Sequence, residues 1–117
     1  MSIKPPATPP PLDVFQSQTC AERLKALSEP LRLRIVDLLR SGECTVSEIA
    51  VQLETEIVTV SHHLQILKRA DIVTPRRDGR FVCYGLSKDV LQNRGESRFL
   101  LDLGCCAIEV PLTVAEA

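Results

Sequence analysis

Apolar residues recur every three or four positions over about the first 70 residues, the spacing that gives a helix one buried face. This pattern predicts four helices, at 12–27, 30–40, 45–53 and 56–70. Two of the predicted starts carry capping signals. Ser28 precedes Pro30 at the second helix, and Thr45 with Glu48 fits the S/T-x-x-E capping box at the third.

The predicted helix at 56–70 separates two sets of residues onto opposite faces when each residue turns the helix by 100°. We predict that one face, which is wholly apolar, is buried: Ile57, Val60, Leu64, Leu67. We predict that the opposite face meets solvent or a partner: Thr59, His62, Ile66, Arg69. A short helix, a brief turn at 54–55 and this longer helix together form the pattern of a helix-turn-helix.

Two short β-prone runs follow the helices and flank Asp78 and Gly79, a dipeptide typical of tight hairpin turns. The predicted hairpin carries three arginines, Arg76, Arg77 and Arg80. The chain is therefore predicted to be mainly α with a small β-hairpin, which is the pattern of a winged helix-turn-helix.

The two ends of the chain differ from this middle part. Residues 1–11 contain five of the eight prolines and are predicted to form a disordered, Pro-rich arm. The run at 98–103 (RFLLDL) is predicted to be a final helix that Gly104 ends. The expected organisation is an arm at 1–11, a winged helix-turn-helix domain at 12–104 and a tail at 105–117.

Charge is unevenly distributed in a chain whose net charge is only −1. Residues 59–88 contain six basic and two acidic side chains, so this segment carries +4. A basic segment in an otherwise acidic chain favours contact with a polyanion. The exposed face of the fourth helix suits a major groove, and the arginines of the hairpin suit phosphates or the minor groove. Double-stranded DNA is therefore the predicted partner.

Other classes of protein fit the sequence less well. No apolar run approaches the ~20 residues needed to span a bilayer, and the N-terminus lacks the apolar segment of a secretory signal. We therefore expect a cytoplasmic protein with no membrane partner. No Gly-rich phosphate loop or recognisable pair of carboxylates indicates catalysis, so we expect neither an enzyme nor a required cofactor.

Four stretches closely resemble the ArsR/SmtB family of bacterial metal- and thiol-sensing transcriptional repressors: ALSEPLRLRIVDLLRSGE, TVSEIA, TVSHHLQILKRADIV and RRDGRFVCYGL. The resemblance covers roughly half of the chain, from Leu24 to Leu86. It implies a cytosolic homodimer that binds an operator of two-fold symmetry and is released by an inducer. It also implies dimerisation through the first and last helices, where six apolar residues suit an interface: Val14, Leu24, Phe99, Leu100, Leu101, Leu103.

The resemblance places the DNA contacts on the fourth helix. Four of its residues are candidates for base contacts and a fifth for the DNA backbone: Thr59, Ser61, His62, Gln65, and Arg69 for the backbone. Ile57 and Val58 replace polar residues that are common in the family, which leaves fewer hydrogen-bonding groups for bases. Asp71 replaces the usual glycine after this helix, and aspartate tolerates a left-handed backbone better than most residues.

The chain has five cysteines, and an odd number in a reducing compartment argues against a framework of structural disulfides. Cys44 and Cys83 are interpreted as small residues of the scaffold. The family's Cys-x-Cys arsenic site is absent, because Thr45 and Ser47 occupy its positions. Its interfacial zinc site is also absent in the usual form, because residues 89–117 contain no histidine.

Cys105 and Cys106 remain, and these adjacent thiols resemble the C-terminal site of arsenic-responsive family members. Arsenite and antimonite favour three sulfur ligands. Cys20 is the preferred third, from the same or the other subunit, because the first helix is expected to pack near the last. The predicted function is a repressor released by As(III) or Sb(III). The alternatives are a repressor that senses redox through a disulfide, a sensor of Cd(II), Pb(II) or Zn(II), and two inert thiols buried at a dimer interface.

Overall fold

The computed structural model describes residues 12–95 and 98–111. Four helices are present in these residues: α1 (Ser17–Leu27), α2 (Pro30–Leu39), α3 (Val46–Gln52) and α4 (Ile57–Arg69). Six strands accompany them: β1 (Cys44–Thr45), β2 (Val73–Asp78), β3 (Phe81–Leu86), β4 (Leu91–Asn93), β5 (Arg98–Asp102) and β6 (Ala107–Pro111). The four predicted helices are confirmed, although α1 begins at Ser17 rather than Leu12. The predicted arm at 1–11 lies outside the described residues.

Side-chain caps fix the starts of α2 and α3. The Glu29 carboxylate accepts a hydrogen bond from the Arg32 amide at 3.0 Å, so Glu29 caps α2 and Ser28 instead ends α1. At α3 the predicted capping box is confirmed. Thr45 Oγ1 accepts from the Glu48 amide at 3.1 Å, and Glu48 Oε1 accepts from the Thr45 amide at 2.9 Å.

The strands form two small antiparallel sheets, in the orders β1-β3-β2 and β4-β5-β6. Strands β2 and β3 form the predicted hairpin, hereafter the wing, and β1 adds the short third strand. Asp78 pairs with Phe81, so the turn residues are Gly79 and Arg80, one position later than predicted. Gly79 has φ +60°, which a two-residue turn of this kind requires and which glycine adopts without a steric cost.

The inner face of α4 lies at the centre of the core. Val60, Leu64 and Leu67 are completely buried, as predicted. Ile35 of α2 and Ile49 of α3 are also completely buried and belong to the same cluster. Each side chain of this size contributes about 1.5–3 kcal/mol on burial. The packing of these helices therefore determines which face of α4 remains outside.

Two residues of α4 depart from their predicted environments. Ile57 is 53% exposed, although its angular position suggested burial. Its side chain leans toward the start of the helix and lies in the first turn, where it extends past the core. Ile66 is half-buried rather than exposed and packs against the core, because α1 lies beside that part of α4.

The predicted last helix at 98–103 is wrong: these residues form β5 and the residue that follows it. β5 pairs with β4 and with β6, the latter formed by 107–111 of the predicted tail. Pairing with both neighbouring strands decides the structure of this short run, and Leu101 and Leu103 alternate toward the core as strand residues do. Dimerisation through a last helix is therefore not available to the described part of the chain, and Leu101 and Leu103 are core residues rather than interface residues.

Within the described residues, none of the helices combines the length and the apolar character needed to cross a bilayer.

The end of α4 closes in a Schellman motif, in which two amides turn back onto the last carbonyls. The Asp71 amide donates to the Lys68 carbonyl and the Ile72 amide to the Leu67 carbonyl, each at 3.0 Å. Asp71 has φ +60°, so the left-handed turn expected at this position is confirmed. Ile72 and Leu67 are both buried, which adds the apolar contact typical of the motif.

We expect Asp71→Ala to lower the free energy of unfolding by about 1 kcal/mol relative to Asp71→Gly, because only glycine adopts a left-handed backbone freely. Both variants remove the same carboxylate, so their difference isolates the backbone contribution. Urea unfolding monitored by circular dichroism measures it. Asp37→Ala, the same change on an ordinary helical backbone of α2, should alter stability by less than about 0.5 kcal/mol. An alanine variant as stable as the glycine variant would contradict a strained turn.

Candidate functional site

Three cysteines from distant parts of the sequence lie together in one chain. Cys20 is buried on α1, and Cys105 and Cys106 are half-buried in the loop between β5 and β6. Their three Sγ atoms lie within 4.8 Å of one another, and Cys105 Sγ lies 3.9 Å from Cys106 Sγ. Cys20 and Cys105 form a disulfide, with Cα atoms 5.6 Å apart. The structure thus brings together the three residues that the sequence suggested as a ligand set, hereafter the thiol cluster.

The loop that carries Cys105 and Cys106 is held by backbone bonds. The Leu103 amide donates to the Cys106 carbonyl at 2.8 Å, and the Gly104 amide donates to Asp102 Oδ1 at 2.8 Å. Gly104 has φ +86°, and a Cβ there would lie 2.7 Å from the Arg23 guanidinium. The backbone angle therefore favours glycine at this position, and any larger residue would also have to displace the end of the Arg23 side chain.

Arg23 connects the thiol cluster to the end of α4. It lies three residues after Cys20 on α1, and its Nη1 donates to the Leu103 carbonyl at the start of the cysteine loop. Its Nη2 lies 3.4 Å from Asp71 Oδ2, directly after α4. The sequence interpretation missed this residue. Its spacing from Cys20, which places both on one side of a helix, is the only signal that pointed to it.

The two other cysteines are not part of this cluster. Cys44 on β1 and Cys83 on β3 lie on paired strands and are half-buried. Burial raises the pKa of the Cys44 thiol, and the nearby Glu48 and Cys83 raise it further. A raised pKa lowers the fraction of thiolate, the nucleophilic and metal-binding form. Cys44 is thus poorly suited to bind metal ions or react with oxidants.

Most of the predicted base-contacting residues lie on the outer face of α4. Thr59, His62, Gln65 and Arg69 are exposed, and Ser61 is half-buried. Gln65 Nε2 donates to the Tyr84 hydroxyl at 3.3 Å, which orients its amide beside the wing.

The neighbouring histidine, His63, has a structural environment instead. Its Nδ1 lies 3.2 Å from the Arg32 guanidinium, and its Nε2 lies 4.0 Å from the Glu29 carboxylate. Burial lowers the pKa of His63, the carboxylate opposes this change, and the positive charge of Arg32 adds to it. His63 therefore packs α4 against the start of α2, whereas His62 points to solvent.

The three arginines of the wing are not equivalent. Arg76 donates three hydrogen bonds to the Glu43 carboxylate at 2.8–3.1 Å, and it lies 4.0 Å from Asp78. The bonds from Arg76 hold the pKa of Glu43 below its usual range. Arg77 and Arg80 are exposed, and within the described ranges neither forms an ion pair. Arg77 and Arg80 are therefore better placed for phosphates than Arg76.

Comparison with known proteins agrees with this architecture. The profile of a helix-turn-helix domain family matches residues 17–76. The transcriptional repressor SdpR of Bacillus subtilis (strain 168) is 42% identical over 69 residues, which cover 59% of this chain and 77% of SdpR.

Solved structures give the same result. A crystal structure described as a possible transcriptional regulator for arsenical resistance is 43% identical, with TM-score 0.55, covering 57% of this chain and 70% of that one. A second structure is the homodimeric winged helix-turn-helix DNA-binding domain of a possible ArsR-family regulator from Mycobacterium bovis. It is 35% identical, with TM-score 0.61, and the match covers 63% of this chain and 68% of that one.

Fold and site together define a DNA-binding winged helix-turn-helix protein. The chain belongs to the ArsR/SmtB family of transcriptional regulators.

The unequal arginines of the wing give a measurable expectation for DNA binding. We expect Arg77→Ala and Arg80→Ala each to reduce the slope of log K against log salt by about one unit, as loss of one phosphate contact does. Arg76→Ala should change the slope by less than about half a unit, because Glu43 already neutralises this arginine. Fluorescence anisotropy with a random-sequence duplex at several salt concentrations provides the slopes. Equal slopes for all three variants would contradict this distinction.

Proposed function

We propose that this protein is a transcriptional repressor that binds operator DNA as a homodimer and is released when arsenite or antimonite binds the thiol cluster. The observation that carries the proposal is the meeting of Cys20, Cys105 and Cys106, whose Sγ atoms lie within 4.8 Å of one another. Thiolate sulfur is a soft ligand and selects soft ions. The name of the similar structure, a possible regulator for arsenical resistance, supports the same ligand class.

The chemistry of binding is a ligand exchange that needs reduced cysteines. Arsenous acid and three thiols give three As–S bonds and three molecules of water, and no electrons are transferred. A dithiol reductant must first supply two electrons and two protons to the Cys20–Cys105 disulfide, because only thiolates are metal ligands. Zn(II) is a poorer match, because closed zinc sites use four ligands and the described residues supply three in this cluster.

Arg23 provides a short connection from the thiol cluster to the DNA-binding helix. Metalloid binding fixes Cys105 and Cys106 relative to Cys20 at a separation different from that of the disulfide, and we expect the Leu103 carbonyl to shift relative to α1. The Arg23 guanidinium, bonded to that carbonyl and close to Asp71, transmits this movement to the end of α4. In a dimer, a small rotation of each α4 changes the spacing of the two recognition helices, which must match the two half-sites.

Exposed apolar residues at the start of the described chain are the proposed dimer contact. Val14 and Phe15 precede α1 and Leu24 lies on it, and all three are exposed. Val14 and Leu24 were already candidates from the sequence. The homodimeric relative supports an assembly of two copies.

A redox-sensing repressor is the second candidate, and the Cys20–Cys105 disulfide favours it. In this case a two-electron oxidant such as peroxide takes two electrons and two protons from the thiols of Cys20 and Cys105, and is itself reduced to water. The two functions use overlapping residues, but only metalloid binding needs Cys106 as a third ligand.

Cys106→Ser separates the two functions. Loss of an outer-shell partner typically lowers the affinity of a metal site by roughly 10–100-fold. We expect the reduced variant to lose more affinity for arsenite than this, because the substitution removes a direct ligand. Release from a duplex of its own promoter region, followed by anisotropy with added arsenite, should therefore disappear. Release by the thiol oxidant diamide should persist if the Cys20–Cys105 disulfide is itself a switch.

Cys44→Ser and Cys83→Ser are the matched controls and should respond to arsenite like the unaltered protein. A full arsenite response in Cys106→Ser would remove Cys106 from the ligand set. If the unaltered, reduced protein ignores arsenite but is released by diamide, redox sensing replaces metalloid sensing as its function.

We expect Arg23→Ala to bind arsenite but to release DNA poorly. Coupling between two sites of a protein typically changes affinity by about 5–150-fold, and this factor should fall toward one when the connecting guanidinium is lost. Arsenite binding is measured by ultraviolet absorbance of the As–S bonds, and DNA release by anisotropy. Arg98→Ala, which removes an exposed arginine of β5 that pairs with Glu109 on the neighbouring β6, should retain the full response. An unchanged release factor in Arg23→Ala would exclude this connection.

A further inference from the structure

The recognition helix begins with two apolar side chains that have no place in the core. Ile57 is 53% exposed and Val58 is 78% exposed, and Thr59 beside them is also exposed. The next residue, Val60, is completely buried and fixes the orientation of this first turn. The exposed pair is therefore held in a defined position at the tip of α4.

This tip is the part of a helix-turn-helix that approaches DNA most closely. In these folds the second helix lies in the major groove, and its N-terminal residues contact the edges of the bases. Here α3 is the first helix of the pair and α4 the second. Val58 lies next to Thr59 on the exposed side of this first turn, and Ile57 is exposed at the first position of α4, beside the turn that follows α3.

Aliphatic side chains restrict what this tip can recognise. The edges of guanine, adenine and cytosine in the major groove present hydrogen-bond donors and acceptors, for which isoleucine and valine have no partner. The C5-methyl group of thymine is the apolar group in this groove. Burial of such a methyl group against a side chain favours the thymine-containing site by about three- to fivefold.

The acidic residues near the tip of α4 make its binding to DNA depend more on contacts with bases than on attraction to phosphates. Glu54 and Glu56 immediately precede α4 and are both exposed, and the Glu56 side chain makes no capping bond. Their carboxylates repel phosphates, so this end of α4 gains little from sequence-independent attraction to DNA. Discrimination at the tip then rests on the two aliphatic side chains.

We propose that Ile57 and Val58 are specificity-determining residues that contact thymine C5-methyl groups in the major groove, so that each operator half-site carries thymine opposite the start of α4. This inference rests on the proposed binding of operator DNA, but it does not depend on which inducer acts at the thiol cluster.

The test begins with selection of tight-binding duplexes from a random library by the reduced protein. Each thymine of a selected site is then replaced singly by deoxyuridine, which lacks only the methyl group. We expect about three- to fivefold weaker binding at one or two thymines in each half-site and no change elsewhere. In Val58→Ser or Ile57→Ser this sensitivity should disappear at the corresponding thymine.

Leu33→Ser is the matched control, because Leu33 is an aliphatic residue that is 48% exposed on α2, away from the recognition helix. It should keep the full sensitivity to deoxyuridine. Tight, sequence-specific binding that is insensitive to every deoxyuridine replacement would overturn this inference while leaving the repressor function intact, and the apolar tip would then be assigned to a protein contact. Failure to select any sequence would instead overturn operator binding itself, and this inference with it.

Discussion

The burial of one face of α4 is the constraint on which the rest of the molecule depends. Val60, Leu64 and Leu67 are without solvent exposure, and residues of α2 and α3 pack around them. Because successive residues of a helix differ in direction by 100°, fixing the inner face also fixes which side chains point outward. The same packing that stabilises the core by several kcal/mol therefore presents Thr59, His62 and Arg69 on one surface.

The thiol cluster depends on the second sheet in a comparable way. β5 pairs with β4 and β6 and places Leu101 and Leu103 in the core, and the loop after it carries Cys105 and Cys106 back to α1. A helix at 98–103 would have sent these cysteines elsewhere. The site thus uses residues more than 80 positions apart, and its geometry is determined by sheet pairing rather than by local spacing.

Much of the architecture was predictable from the sequence, for identifiable physical reasons. Apolar periodicity, the Thr45 capping box and the Asp78–Gly79 dipeptide are local signals, and they located α2, α3, α4 and the wing. Two details were wrong, because Glu29 rather than Ser28 caps α2 and the turn lies one residue later than predicted. The left-handed turn at Asp71 and the grouping of Cys20 with the adjacent cysteines also agree with the structure. Cys20 was chosen because the first helix was expected to pack near a last helix, whereas the loop after β5 brings the adjacent cysteines to α1. Whether these thiols bind a metalloid, and which residues contact bases, remain predictions.

The parts that sequence reasoning missed depend on tertiary context. β5 is a short apolar run that either type of secondary structure can accommodate, and its two neighbouring strands decide between them. The engagement of Arg76 by Glu43 joins residues 33 positions apart, and nothing local indicates it. Ile57 was misassigned because periodicity describes an infinite helix, whereas a residue in the first turn can extend beyond the packed layer.

The free energy that couples inducer binding to DNA release is small enough for one arginine side chain to supply it. A ligand shifts a protein between two states only by the difference between its affinities for them, and such couplings are typically about 1–3 kcal/mol. A hydrogen bond to a charged group contributes about 1.5–3 kcal/mol. In the mechanism proposed above, loss or displacement of the bond between Arg23 and the Leu103 carbonyl would supply a change of this size. Because Cys20 and Arg23 lie three residues apart on α1, the proposed movement at the thiols acts directly on the bond between Arg23 and the Leu103 carbonyl.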